Sequence, residues 1–336
     1  MRGAVFCLAS VAKYYSPARG AQATRGRSGA CVDEMTESLG GSLTIAGALR
    51  EAAARLREAG VAEPRREAAL LLTHATGRDR AYLITHDGEL LESEQLADFR
   101  ACVGRRAAGE PFQYIAGRQE FYGLEFEVGP EVLIPRPETE LLVEKALGLL
   151  EGVRAPLLCD VGTGSGCIAV TLLHERADAR GFALDLSPAA LAVAARNAAR
   201  HGVEGRLQLL VSDCFDALRS GAHGGARFDL IASNPPYVAE SEMDELQREV
   251  REHEPRLALT PGGDGLSVIR RLVLEAPAFL KPGGYLLIEI GYGQSEPVAA
   301  LVNQNVWTLL DIHPDLQGIP RTVALKLKGV LESRAT

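Results

Sequence analysis

Leu157-Leu158-Cys159-Asp160-Val161-Gly162-Thr163-Gly164-Ser165-Gly166-Cys167-Ile168-Ala169-Val170 is the stretch on which the fold of this 336-residue chain turns. A short apolar run carrying an acid passes through three alternate glycines into a second apolar run. The first run has the length of a buried strand, and the second opens a helix over 166–177. The glycines between them allow a tight turn and bring free N–H groups close to a ligand at a helix start. Strand candidates follow at Gly181–Asp185, Arg206–Val211, Phe228–Ser233, Tyr285–Ile290, Trp307–Ile312 and Thr322–Leu327, with helical stretches at 188–201, 265–280 and 294–303. Strands alternating with helices imply an α/β protein with a doubly wound sheet.

Before this sheet the character differs. Ile45, Leu49, Ala52, Ala53 and Leu56 recur at helical spacing, with Thr44 as an N-cap and Gly60 as a stop. Further helices are expected over Arg65–Ala75 and Glu94–Ala108, so residues 44–109 read as a small helical domain. Residues 110–136 read as a β-hairpin linker, since Phe121–Val128 partly alternates and Val132-Leu133-Ile134 is stopped by Pro135 and Pro137. Pro137 suits the first turn of a helix, with Glu138 and Glu140 at its positive end. The catalytic domain is then expected over 137–330.

Composition excludes several classes. Hydrophobic residues at 46% and charged residues at 24% are ordinary for a globular protein, and no apolar run approaches a membrane span. Six scattered cysteines without a C-x-x-C pair suit a reducing compartment and give no metal site. A net charge of −8 speaks against a protein that grips long stretches of nucleic acid. Residues 1–43 read as a disordered extension or a targeting segment. Arg2, Lys13, Arg19, Arg25 and Arg27 face only Asp33 and Glu34 within the first 34 residues, as in an organellar transit peptide. The expected location is the cytoplasm, or the mitochondrion if that segment is a transit peptide.

The loop Gly162-Thr163-Gly164-Ser165-Gly166 lacks the spacing of a dinucleotide fingerprint, which would need glycine where Cys167 stands. Its form, with an acid in the preceding strand, resembles that of S-adenosylmethionine-dependent methyltransferases. Asp185 ends the next strand, placed to accept from both hydroxyls of a ribose, although it could also cap the helix at Ser187-Pro188. Asp213 and Cys214 follow the third strand, where the acid could accept from an adenine amine and Cys214 line the ring. A plain strand-end turn is the alternative.

Asn234-Pro235-Pro236-Tyr237 closes the fourth strand and names the chemistry. A conjugated –NH2 group has two donors in one plane. The Asn234 side-chain oxygen and the Pro235 carbonyl can accept one each, the prolines offer no competing N–H, and Tyr237 can cover the π-face. The motif suits adenine, cytosine and the glutamine amide alike.

Beyond these motifs stand Pro111-Phe112-Gln113-Tyr114-Ile115-Ala116-Gly117, Glu120-Phe121-Tyr122-Gly123-Leu124, Leu133-Ile134-Pro135-Arg136-Pro137-Glu138-Thr139-Glu140 and His253-Glu254-Pro255-Arg256-Leu257-Ala258-Leu259. With them, residues 44 to about 328 resemble the HemK/PrmC glutamine-N5 methyltransferases that act on peptide chain release factors. The resemblance implies a Rossmann-like sheet of seven strands, one antiparallel, behind a helical domain that binds the release factor. It implies S-adenosylmethionine as cofactor, held by Gly162–Gly166, Asp185, Asp213, Cys214 and Asn234, and substrate contacts at Asn234–Tyr237. Many relatives carry tryptophan where this chain has Cys214. Arg136 is expected to face the cofactor, the release factor, or its neighbours Glu138 and Glu140. A monomer without nucleic acid or membrane partners is expected. The rivals are a glutamine methyltransferase of a large-subunit ribosomal protein and an adenine-N6 nucleic-acid methyltransferase. The latter needs a basic, base-reading insertion, and residues 238–264 are acidic. A binding module that kept only the fold is the third rival, against which the intact tetrapeptide speaks.

Overall fold

The computed structural model describes residues 43–219 and 225–329. The expected N-terminal extension and most of the glycine-rich stretch at 220–225 lie outside the described residues. The chain divides into two compact units, with the boundary in sequence at Ala116/Gly117.

The first unit is helical: α1 (Ile45–Glu58), α2 (Pro64–Thr76), α3 (Arg80–Thr85), α4 (Ser93–Ala107) and α5 (Phe112–Ala116). Thr44 caps α1 by accepting from the Gly47 N–H at 3.1 Å. Ile45, Ala48, Ala52, Ala53 and Leu56 form its buried face and meet Leu71, Leu72 and Phe99 in one core. Helix α3, capped by Asp79, is too short to show a period in the sequence. Residues 112–116, rich in side chains that favour strands, instead make one helical turn on the Pro111 carbonyl, which sinks Ile115 into this core.

In the second unit the hairpin occupies only β1 (Arg118–Phe121) and β2 (Leu124–Glu127). Tyr122 and Gly123 at its tip both have positive φ, 53° and 74°, the geometry of a type I′ turn. There follow α6 (Pro137–Leu149), β3 (Leu157–Val161), α7 (Cys167–Glu175), β4 (Arg180–Asp185), α8 (Pro188–Arg200), β5 (Leu207–Val211) and β6 (Phe228–Ser233). The chain ends with α9 (Arg248–His253), α10 (Arg256–Leu259), α11 (Ser267–Glu275), β7 (Leu280–Glu289), α12 (Ser295–Leu301), β8 (Trp307–Pro314) and β9 (Pro320–Leu327).

Seven strands form one sheet in the order β5-β4-β3-β6-β7-β9-β8. Only β9 runs against the others, pairing antiparallel with β7 and β8. Successive residues of the central strands serve opposite faces. Leu286 and Ile288 join Phe215, Phe279 and Trp307, whereas Leu287 joins Leu142, Leu172 and Leu173. Such burial on both faces explains the near-continuous apolar runs. The chain moves outward from β3 to β5 and then returns to β6 on the other side of β3. That reversal leaves a crevice at the carboxyl ends of β3 and β6, where ligands of open α/β sheets bind.

Candidate active site

The carboxyl ends of β3, β4 and β6 open into a cleft of about 190 Å³. Its walls include Gly162, Thr163, Gly164, Ser165, Asp185, Asp213, Cys214, Asn234, Pro235 and Pro236. Of the expected residues, Gly166 and Tyr237 lie outside the wall. Gly166 is the N-cap of α7 at φ +82°, and a Cβ there would come within 3.2 Å of the Ala194 Cβ, so it serves the close packing of α7 on α8.

The glycine loop is fastened from below. Gly162 and Thr163 both donate to the Leu184 carbonyl, at 2.8 and 3.0 Å. The Thr163 hydroxyl donates to Asp160 Oδ2 at 2.7 Å, and the Ala169 N–H reaches the same oxygen at 3.2 Å. Asp160 Oδ1 is buried without a protein partner, and burial pushes this carboxyl up to about 7 against the Thr163 and Ala169 donors. Asp185 accepts from Gly164 N–H through Oδ2 at 2.8 Å and from Ser187 N–H through Oδ1 at 2.9 Å. Ser187, not Asp185, caps α8, so the carboxylate is a brace between loop and helix that keeps a lone pair free on each oxygen. Desolvation raises its pKa.

Asp213 donates nothing and accepts from Arg271 Nη1 at 2.6 Å, an ion pair on the rim. Cys214 is buried at φ +48°, and burial lifts its thiol to about 11, so it offers the cleft a neutral apolar surface. Leu186, half exposed beside Asp185, faces the same cleft and was not anticipated from the sequence.

Asn234 Nδ2 donates to Thr139 Oγ1 at 3.0 Å, and Thr139 Oγ1 donates to Glu289 Oε2 at 2.7 Å. The Tyr237 hydroxyl donates to Glu289 Oε1 at 3.4 Å, and the Tyr237 carbonyl accepts from Gln294 Nε2 at 2.9 Å. Glu289 is fully buried; desolvation pushes its carboxyl up to about 7, with Glu138 adding to the rise and Thr139, Arg321 and Tyr237 opposing it.

Arg136 pairs with neither Glu138 nor Glu140. Its guanidinium donates to Glu254 Oε1, while Glu254 Oε2 accepts from the Ile134 N–H at 3.1 Å. The Glu254 side chain is almost wholly buried, and both of its oxygens have hydrogen-bond donors. Glu140 instead accepts from the Tyr122 N–H at 2.8 Å at the hairpin tip. The string Ile134–Glu140 is thus a junction, with Glu140 reaching the hairpin, Ile134 and Arg136 the Glu254 segment, and Thr139 the Asn234 loop.

The donor set fits an adenosyl sulfonium cofactor. A glycine loop whose backbone lines the cleft, a carboxylate with spare lone pairs for a diol, and apolar Leu186 and Cys214 match its parts.

Comparisons with known proteins agree. Residues 47–117 match the family described as PrmC N-terminal domain, and residues 138–271 the family described as methyltransferase small domain. The chain is 50% identical to the release factor glutamine methyltransferase of Cereibacter sphaeroides over 285 residues, covering 85% of this chain and 99% of the relative. Identity to the protein of the same name from Koribacter versatilis is 45% over 282 residues, covering 84% and 98%. Among solved structures, a Thermus thermophilus 16S rRNA N2 G1207 methyltransferase in complex with AdoMet and guanosine is similar at 22% identity and a TM-score of 0.43, over 63% of this chain and 49% of that one.

Proposed function

The chain belongs to the family of release factor glutamine methyltransferases, and on that premise we propose that the Asn234–Tyr237 loop clamps the glutamine that is methylated. The protein transfers a methyl group from S-adenosylmethionine to the side-chain nitrogen N5 of the glutamine in the Gly-Gly-Gln motif of peptide chain release factors.

The observation that carries the clamp is the commitment of Asn234 Nδ2 to Thr139, which leaves Oδ1 as an acceptor. Oδ1 and the Pro235 carbonyl each accept one hydrogen of the planar –NH2, and this orients the nitrogen lone pair. The bound cofactor supplies an electrophilic methyl group on a sulfonium. The two acceptor dipoles stabilise the positive charge that grows on nitrogen. No strong base is required, because the methylated nitrogen is acidic enough to lose its proton to water. Gly162–Ser165 would hold the amino-acid end of the cofactor with Gly166 ending the loop behind them, Asp185 the ribose diol, and Cys214 with Asp213 the adenine.

Residues 44–109 are proposed as the release-factor docking unit. The enzyme is read as a monomer that works without gripping nucleic acid. The arginines of the segment after the clamp support this: Arg248 pairs with Glu252 at 2.8 Å and Arg256 with Glu240, so little positive charge remains for phosphates. Among the described residues no helix is long and apolar enough to cross a membrane. Its working place is read as the compartment of bacterial-type release factors, the cytoplasm or a mitochondrion.

The deciding experiment is peptide mass spectrometry of release factors incubated with the protein and methyl-labelled cofactor. A label confined to the glutamine of Gly-Gly-Gln is expected. Label in a ribosomal protein or in adenine instead would transfer the clamp to another substrate.

A further inference from the structure

When Glu289 is ionised, the polar groups behind Asn234 form a chain that can run in only one direction. Asn234 Nδ2 meets Thr139 Oγ1 at 3.0 Å, and Thr139 Oγ1 meets Glu289 Oε2 at 2.7 Å. An ionised carboxylate only accepts, and a hydroxyl has a single proton. Once Thr139 gives that proton to Glu289, it can offer Asn234 nothing but lone pairs. The flipped amide would set Oδ1 against those lone pairs with no hydrogen between them. We propose that Thr139 and Glu289 are positioning residues whose hydrogen-bond polarity holds Asn234 with its carbonyl oxygen towards the substrate –NH2. This rests on the amide-clamp reading above, because a flipped Asn234 would present donors to a donor.

Neutral Glu289 would remove the constraint. A protonated Oε2 can donate to Thr139, and Thr139 can then donate to Asn234 Oδ1, so the flipped amide becomes equally well bonded. The groups facing Glu289 are Glu138 on α6, Tyr237 after β6, Cys167 at the start of α7 and Arg321 on β9. Burial and Glu138 favour the neutral form. Arg321 and the two hydroxyl donors favour the charged one, which is the form the relay needs. Turnover should therefore fall as pH drops through about 7.

The test uses the full chain, a Gly-Gly-Gln-containing release factor and S-adenosylmethionine. Thr139→Val keeps the shape and removes the relay; kcat should fall at least about tenfold while cofactor affinity stays within about threefold. Thr139→Ser restores the hydroxyl and should recover most of the loss. In Glu289→Gln the Gln amide can donate to Thr139, so kcat should be low at pH 8 and the acidic limb of its pH profile should vanish. Asparagine-selective 15N labelling reads the relay without substrate. One Asn234 side-chain proton should exchange slowly in wild type and Thr139→Ser and fast in Thr139→Val. Wild-type kcat in Thr139→Val, a serine variant as impaired as the valine one, or equal proton exchange in all three proteins would overturn the relay. Wild-type protein that leaves the release factor unlabelled, with the slow proton present, would overturn the substrate and leave the relay intact.

Discussion

Asp185 Oδ2 accepts the Gly164 N–H at 2.8 Å, so the acid at the end of β4 holds the middle of the glycine loop at the end of β3. The same carboxylate reaches the Ser187 N–H at the start of α8. Loop, strand end and helix start are therefore one unit. A group assigned to the cofactor also shapes the loop that would receive it.

Asp185→Ala should consequently weaken S-adenosylmethionine binding by more than one contact. Loss of a charge-assisted hydrogen bond costs about 1.5–3 kcal/mol, roughly 10- to 150-fold in affinity. Release of Gly164 adds to this. Asp185→Asn retains an acceptor for only one of the two backbone donors and should fall between alanine and wild type. Calorimetry with the cofactor measures both, and an alanine variant that binds like wild type would remove Asp185 from the site.

At Asn234 the expected loss is in turnover. Deleting one preorganised polar partner costs at least about 100-fold, or about 2.7 kcal/mol of barrier. Asn234→Asp should do little better than Asn234→Ala. Its second oxygen would face Thr139, which has no proton left to give, and its charge would lie near Glu289. Single-turnover methylation of a release factor checks this, and alanine within threefold of wild type would sink the clamp.

Local features were legible in the sequence and distant pairings were not. Strands Leu157–Val161 and Phe228–Ser233 stand where the apolar runs placed them, because strands buried on both faces leave an unbroken signal. The glycine loop and the Asn-Pro-Pro-Tyr turn are contiguous, so spacing alone exposed them. Thr139 and Glu289 were silent: one sits in a helix start, the other ends a strand, and they meet from 150 positions apart. Arg136 lines the cleft, as one expected alternative had it, but its carboxylate partner was silent for the same reason. Its partner Glu254 lies 118 positions on, while the nearby Glu140 binds the Tyr122 N–H. The short helix α3 and the turn at 112–116 carry too few residues for a period to emerge.

Gly265 offers a test of how tightly the clamp is held. It has φ +77°, and a Cβ there would lie 2.3 Å from the Tyr237 carbonyl oxygen, the atom that Gln294 binds. Backbone cannot yield as a flexible side chain does, so Gly265→Ala should push the Asn234–Tyr237 loop out of place. A displacement near 1 Å can cost about 100-fold in rate. Expected is a kcat lowered at least about tenfold with cofactor affinity nearly unchanged. Unaltered kcat with a folded protein would mean that the loop tolerates displacement.

The two carboxyls held near pH 7 bind the pH dependence of stability to that of activity, with opposite signs. Asp160 and Glu289 are both raised to about 7 by burial, against ordinary values near 4. Between those limits the folded state binds more protons than the unfolded state, so stability is complete below about pH 4 on their account. It is lost as pH rises through about 7. Turnover, which needs Glu289 charged, should climb over the same upper range. Asp160→Asn separates the two. It removes one raised carboxyl, keeps an acceptor for Thr163 and Ala169, and leaves Glu289 untouched. Between pH 5 and pH 8 the variant should gain stability relative to wild type, by on the order of 2–3 kcal/mol. Its kcat profile should keep the rise near 7. Thermal melts at the two pH values decide the matter: a wild-type protein that gains stability from pH 5 to 8 relative to Asp160→Asn would show that Asp160 is ionised at a lower pH than its burial implies.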